Sequence, residues 1–387
     1  MTFEFLTAPR IIFGPGVFDQ AASIISSLGL RPFVVTGKTM ERYRPLFDEL
    51  GAKGLDCAHG VVAAEPSIAE VHSMVEQVRQ LGCDILVGFG GGSVLDAAKA
   101  VAGLAPNPGD ILDYLEVIGD GLPLQTPALP CVAIPTTAGT GTEVTKNAVL
   151  SSPEDQVKVS LRNRTLLPNV AVVDPELTYS LPRRTTAYSG LDAITQVIEP
   201  FLSCRRNPLV DGLCREAISR GGRALPAAFE DGSDTAARRD MCLVSLIGGI
   251  ALTNAGLGAV HGFAGPLGGM TGAPHGAICA CLLAPVFAAN MRALERRGDP
   301  EGLLDRFDEV GRLLTGDPSS DRIGAVEWLR QCREELEIPN LRDLGLEPDR
   351  FPEAVDKARR ASSMKANPVV LDDDELANTL QEASRLT

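Results

Sequence analysis

The chain has 387 residues, enough for two packed domains with sizeable cores, and its 44% hydrophobic against 22% charged residues excludes wholesale disorder. Fifty acidic against 36 basic residues give a net charge of −14 with no basic run, which disfavours nucleic acid or an anionic membrane surface as partner. A small molecule is the expected partner.

The opening MTFEFLTAPRIIFGPG has no basic segment followed by an apolar one, and no apolar run reaches the roughly 20 residues of a membrane span, so a cytoplasmic protein is expected. Nine cysteines, odd in number, scattered and without a CxxC pair, fit reduced and mostly buried structural thiols. In chain order, residues 10–13, 32–36, 84–89, 131–135 and 170–173 are short strand candidates, each apolar for several residues in a row, as strands buried on both faces are. Between them, residues 67–81 and 93–104 carry helical spacing, the first with Ser67 as N-cap after Pro66. Strand, helix, strand is the pattern of a parallel sheet. His59, in a Gly/Ala-rich loop, and His72, on the polar face of the first helix, read as solvated side chains.

Beyond residue 185 the pattern is helical at 186–201, 208–228, 235–254, 275–297, 302–314, 322–336, 348–361 and 373–385, with Gly, Pro or Asp between the segments. The composition shifts near 175–184. An α/β domain over 1–182 and an all-α domain over 183–387 are therefore expected.

After the third strand candidate comes Gly90-Gly91-Gly92-Ser93, opening a helix. Glycines let an anion approach the backbone N–H groups, and the helix start adds partial positive charge, so this is a pyrophosphate seat or else only a tight connection. The spacing is not GxGxxG. A second segment, residues 134–145, follows another strand and packs five threonines and two glycines into ten residues. Hydroxyls at a strand's C-terminal end suit ribose and phosphate oxygens, the plainer reading being a surface turn.

Two of only four histidines, His261 and His275, share one glycine-rich stretch, which tilts them toward a metal or catalytic pair. Upstream, Asp192 and Gln196 are four apart on one helical face. One carboxylate, one amide oxygen and two imidazoles can close on a divalent ion; the alternative for Asp192 is a charge role at a helix start.

These segments carry a resemblance. GFGGGSVLDAAKA (88–100), PTTAGTGTEVT (135–145), VVDPEL (172–177), GLDAITQVIEPF (190–201), LTNAGLGAVHG (252–262), APHGA (273–277) and KANPVVLDDDEL (365–376) stand in the order and spacing of the iron-containing (group III) alcohol dehydrogenases, which the chain resembles nearly end to end. The resemblance implies an α/β N-terminal dinucleotide-binding domain and an all-α C-terminal helical domain, the dehydroquinate synthase-like architecture, with a cleft for NAD(P) and one catalytic divalent metal. It places the pyrophosphate on Gly90, Gly91, Gly92 and Ser93, the ribose and nicotinamide side on Thr136, Thr137 and Thr140, and the ribose region on Lys158. Asp192, His261 and His275 match three of four metal ligands and are the expected catalytic residues. Gln196 stands where most members have the fourth ligand, a histidine, and Gly265 where many carry a further histidine.

An amide oxygen is a harder, weaker donor than imidazole, so Fe²⁺ is the expected ion, with Zn²⁺, Mn²⁺ or no metal as alternatives. Gly265 should widen the pocket and leave proton transfer to water or cofactor hydroxyls. Where NAD-preferring members have aspartate, this chain has Gly37, followed by Lys38 and a turn later Arg42, so NADP is the expected cofactor. The resulting expectation is an NAD(P)-dependent oxidoreductase of a small alcohol or aldehyde, working as a homodimer. Its alternatives are a metal-independent reductase resembling maleylacetate reductase and a lyase resembling dehydroquinate synthase. Phe263, Leu267 and Met270 would favour an uncharged substrate if they line the pocket, though such residues are more often core.

Overall fold

The computed structural model describes residues 2–155 and 157–385; the outer ends of the two expected domains, Met1, Leu386 and Thr387, lie outside the described residues. In chain order the elements are β1 (Arg10–Phe13), α1 (Ala21–Leu28), β2 (Pro32–Thr36), α2 (Met40–Ala52), β3 (Ala58–Val61), α3 (Ile68–Leu81), β4 (Ile85–Gly90), α4 (Gly92–Leu104), β5 (Cys131–Pro135), β6 (Asn147–Ser152), β7 (Val157–Arg162) and β8 (Val170–Val173). There follow α5 (Arg183–Leu202), α6 (Pro208–Glu230), α7 (Thr235–Ala255), α8 (Ala259–Thr271), α9 (His275–Arg297), α10 (Leu303–Thr315), α11 (Arg322–Glu335), α12 (Phe351–Arg360) and α13 (Asp373–Arg385).

The first of two compact units spans residues 6–137 and 141–178. Its parallel sheet has the order β1-β8-β5-β4-β2-β3. Strands covered on both faces need apolar side chains at every position, and β2 supplies them: Phe33 and Val35 pack toward α3 and α4, while Val34 joins α1 and α2 on the other face. Gly88 and Gly90 let α4 lie close on β4, since a Cβ on Gly90 would sit 2.7 Å from Val94. Ser67 caps α3 with the reciprocal Glu70 capping box.

The chain runs from β2 outward to β3, returns past β2 to β4, and continues to β5 on the other side. The direction of winding thus reverses between β2 and β4, and in open α/β sheets ligands bind outside the carboxyl ends of the strands flanking such a reversal. Gly37 and the Gly90–Gly92 run occupy those two ends.

Several elements differ from expectation. Residue 59 lies not in a solvated loop but on edge strand β3, where His59 Nε2 is 2.8 Å from Thr36 Oγ1 and the ring meets Phe47 edge-on. His72 is exposed. The antiparallel β6–β7 pair buries its residues only at alternate positions, and α1 and α2 complete the second face of the sheet.

The second unit holds residues from 179 onward, together with 2–5 and 138–140, so the division at 178 falls four residues before the expected 182. It contains α5 to α13. The stretch between residues 259 and 271 is helix α8 despite four glycines and a proline. One glycine there has a packing reason: a Cβ on Gly262 would lie 2.8 Å from Met364 Cε. Helix α9 is long and apolar enough to cross a membrane, but 94% of its apolar window is buried inside the protein, as in a core helix.

Candidate functional site

In the α/β unit, α4 begins at Gly92 with Gly91 as N-cap, and Gly91, Gly92 and Ser93 remain half-buried at the end of β4. The first N–H groups of a helix lack helical partners and face outward with the positive end of its dipole. The segment after β5 lies beside them. Thr136 N donates to Gly90 O at 2.9 Å, and a Cβ on Gly91 would be 3.4 Å from Thr137 Cγ2. The glycine run and these two threonines are therefore neighbours, whereas Thr140, in the 138–140 segment, groups with the helical unit.

Beneath the loop Lys99 is fully buried on α4 and donates to Thr142 O (2.9 Å), Thr145 Oγ1 (2.7 Å) and Asn147 O. Its ammonium is 3.4 Å from Asp96 Oδ1. Burial pushes Asp96 up to about 6 against the pull of Lys99, and pushes Glu143 up to about 7. This cluster pins the threonine loop to α4.

The residues read for the ribose end behave unequally. Lys38 is exposed, but Arg42 donates to the Leu177 carbonyl. At Gly37 a Cβ would lie 2.7 Å from Tyr43 Oη, so the tyrosine hydroxyl occupies the space a side chain would need. Lys158 is paired with Glu65 Oε1 at 2.5 Å, which already matches its charge.

In the helical unit, Asp192 lies on α5 nine residues after Arg183, too deep for a helix-start charge role. His261 is in the first turn of α8 and His275 opens α9. Two residues from outside α8 fix its start: Asn367 Oδ1 accepts from Ala259 N at 3.0 Å and Glu199 Oε1, from α5, accepts from Val260 N at 2.7 Å. A Cβ on Gly258 would be 2.9 Å from both acceptors. Glu199 Oε2 lies 2.7 Å from His261 Nδ1, which places the ring proton on Nδ1 and turns Nε2 toward Asp192.

Three donor atoms converge there. Asp192 Oδ1 is 3.3 Å from His261 Nε2 and 3.8 Å from His275 Nε2; it is buried and makes no hydrogen bond. Cys279 Sγ is 3.8 Å from His261 Nε2 and 3.5 Å from His275 Nε2. Burial would raise the Asp192 pKa, but His275 and His261 outweigh it and hold the carboxyl below the usual range. Burial likewise opposes charge on His261, and the Cys279 sulfur, Asp192 and Glu199 outweigh it and raise its pKa. The Cys279 thiol itself is pushed up to about 12 by burial. A carboxylate oxygen, two imidazole nitrogens and a sulfur, all within 4.8 Å of one another, are a chemically suitable donor set for a divalent ion.

Gln196 lies one turn after Asp192 and donates through Nε2 to Gly139 O at 2.8 Å. Gly265 is one turn after His261, and a Cβ there would meet nothing within 4 Å. Phe263 and Leu267 are fully buried core residues, so of the suggested apolar lining only Met270 is partly exposed. Sequence reasoning missed Glu199, Cys279 and Asn367 as site residues. Their signals were present: Glu199 is two helical turns after Asp192, and Cys279 one turn after His275.

Comparison with known proteins agrees with this architecture. Residues 8–175 match the family model for iron-containing alcohol dehydrogenase, and residues 186–384 the model for the C-terminal part of the Fe-containing alcohol dehydrogenase family. The chain is 32% identical to alcohol dehydrogenase 4 of Saccharomyces cerevisiae over 98% of both chains. A solved 1,3-propanediol oxidoreductase superposes with a TM-score of 0.89 at 30% identity, covering 99% of this chain and all of that one. The sulfoacetaldehyde reductase of Bifidobacterium kashiwanohense, solved in complex with NAD⁺, superposes with a TM-score of 0.87 at 28% identity over the whole of both chains.

Proposed function

The chain belongs to the iron-containing alcohol dehydrogenase family and is an NAD(P)-linked alcohol/aldehyde oxidoreductase; from that premise we propose that Asp192, His261 and His275 hold a divalent metal, iron(II) by preference, and that NADP is the favoured cofactor. The observation that carries the metal reading is Asp192 Oδ1, a buried carboxylate oxygen without a hydrogen bond, facing two imidazole nitrogens. Leaving such an atom unsatisfied costs on the order of 1–3 kcal/mol, a cost that a cation would offset. When bound, the ion would supply a Lewis acid that polarises a substrate oxygen.

The protein's own groups do the rest. Glu199 fixes the His261 tautomer, and Asn367 with Glu199 fixes the start of the helix that carries it. The open space at Gly265 admits the substrate's carbon chain. The backbone of Gly90, Gly91, Gly92 and Ser93 takes the pyrophosphate, and Thr136, Thr137 and Thr140 the ribose and nicotinamide side. Exposed Lys38 takes a 2′-phosphate, helped by Gly37, which offers no carboxylate to repel it. Lys158 steadies the ribose region through its Glu65 pair. A small alcohol or aldehyde exchanges hydride with the nicotinamide, and the proton is exchanged with water. The free thiols fit a cytoplasmic enzyme.

The test is exhaustive chelation followed by metal return. Aldehyde reduction with NADPH should vanish and recover with Fe²⁺; full turnover by verified metal-free protein would overturn the metal reading.

A further inference from the structure

We propose that Cys279, as a thiolate, is the fourth protein ligand of the metal site; the proposal rests on the metal reading above and adds a donor that changes which ion the site selects. The four-residue step from His275 to Cys279 puts both side chains on one face of the first turn of α9. In a tetrahedral site, metal–nitrogen and metal–oxygen bonds of about 2.0–2.2 Å and metal–sulfur bonds of about 2.3 Å set the ligand atoms roughly 3.3–3.7 Å apart. The observed separations bracket that spacing: 3.3 and 3.8 Å from Asp192 Oδ1 to the two imidazoles, 3.5 and 3.8 Å from Cys279 Sγ to the same nitrogens.

Two further observations favour the sulfur over Gln196. The Gln196 amide nitrogen is committed to the Gly139 carbonyl, so the amide is already held by the 138–140 loop. Cys279 is completely buried against both histidines, and the orphan Asp192 Oδ1 is an independent pointer to a cation at the same place. Gln196 then acts as a positioning residue that ties the loop to α5.

The consequence is a reversal of metal preference. With an amide oxygen as fourth donor the site would lean toward hard ions. A thiolate makes it softer and raises the formal ligand charge from −1 to −2, favouring Zn²⁺, Co²⁺ or Fe²⁺ over Mn²⁺ and Mg²⁺. As the sulfur bonds the ion, the thiol proton passes to the buffer, and no redox change is involved. With four protein donors, a substrate oxygen would enter as a fifth ligand.

Cobalt(II) titration of the full-length metal-free protein tests this by absorbance. The wild type should bind one equivalent with a near-ultraviolet sulfur-to-cobalt charge-transfer band. Cys279→Ser and Cys279→Ala should lose the band, while Gln196→Ala keeps it. Zinc affinity in the Cys279 variants should fall by more than the roughly hundredfold that losing an outer-shell partner can cost. Cobalt bound in the wild type without the band, or a band that persists unchanged in both Cys279 variants, overturns the sulfur ligand and leaves the three-residue metal site standing. Failure of the wild type to bind cobalt or zinc at all overturns both readings.

Discussion

Glu199 Oε2 lies 2.7 Å from His261 Nδ1, and its other oxygen accepts the Val260 N–H at 2.7 Å. One carboxylate thus orients a ring and satisfies the helix start that carries it. A histidine ligand held by such a partner is both more basic and less free to rotate.

Glu199→Gln should therefore weaken metal binding by about tenfold to a hundredfold, with the fold retained. Equilibrium dialysis against a buffered metal series measures this. Unchanged affinity would mean that His261 does not ligate through Nε2.

Gly265→Ala should stabilise the protein by about 0.5–1 kcal/mol, because a helical glycine gains a methyl group that meets no atom. Gly265→Phe should raise KM for the aldehyde while leaving metal content unchanged. Thermal melting checks the first, and steady-state kinetics with elemental analysis the second.

The buried Glu143 gives a pH dependence of known sign. Its folded pKa, about 7, lies above its ordinary 4.5, so the native state holds an extra proton between those values. Stability from this group is full below about pH 4.5 and is lost as pH rises through 7. The gap corresponds to on the order of 3 kcal/mol. Glu143→Gln should flatten the fall in melting temperature between pH 5 and 8. Parallel wild-type and variant slopes would contradict the buried, protonated state.

Lys38→Ala should lower kcat/KM for NADPH by about tenfold, the equivalent of a lost 1.4 kcal/mol contact, and leave that for NADH nearly unchanged. Equal losses with both cofactors would remove Lys38 from phosphate recognition. Because Arg42 is turned to the Leu177 carbonyl, Arg42→Ala should be nearly silent in cofactor choice.

What the sequence could reveal follows from which physical signal each element carries. Strands β2, β4, β5 and β8 are covered on both faces and read as continuous apolar runs, so they stand out. Edge strand β3, Ala-His-Gly-Val, has no such run, and β6 has only three apolar residues in a row, between polar ends, and is buried only at alternate positions. Helix α8 hides behind Gly262, Gly265, Gly268, Gly269 and Pro266, because its helicity comes from packing and from caps supplied by Glu199 and Asn367. At the site, Asp192, His261 and His275 are legible by residue type, whereas Cys279 and Glu199 look like an ordinary buried thiol and a helical acid until the helices bring them together.

The claim on which the rest depends is a divalent ion held by Asp192, His261 and His275. Elemental analysis of the wild type and of Asp192→Asn, purified side by side without added metal or chelator, tests it most directly. The account predicts one transition-metal ion per wild-type chain and almost none in the folded variant. Equal metal content in the two proteins, or a fully active wild type that carries no metal, would contradict it.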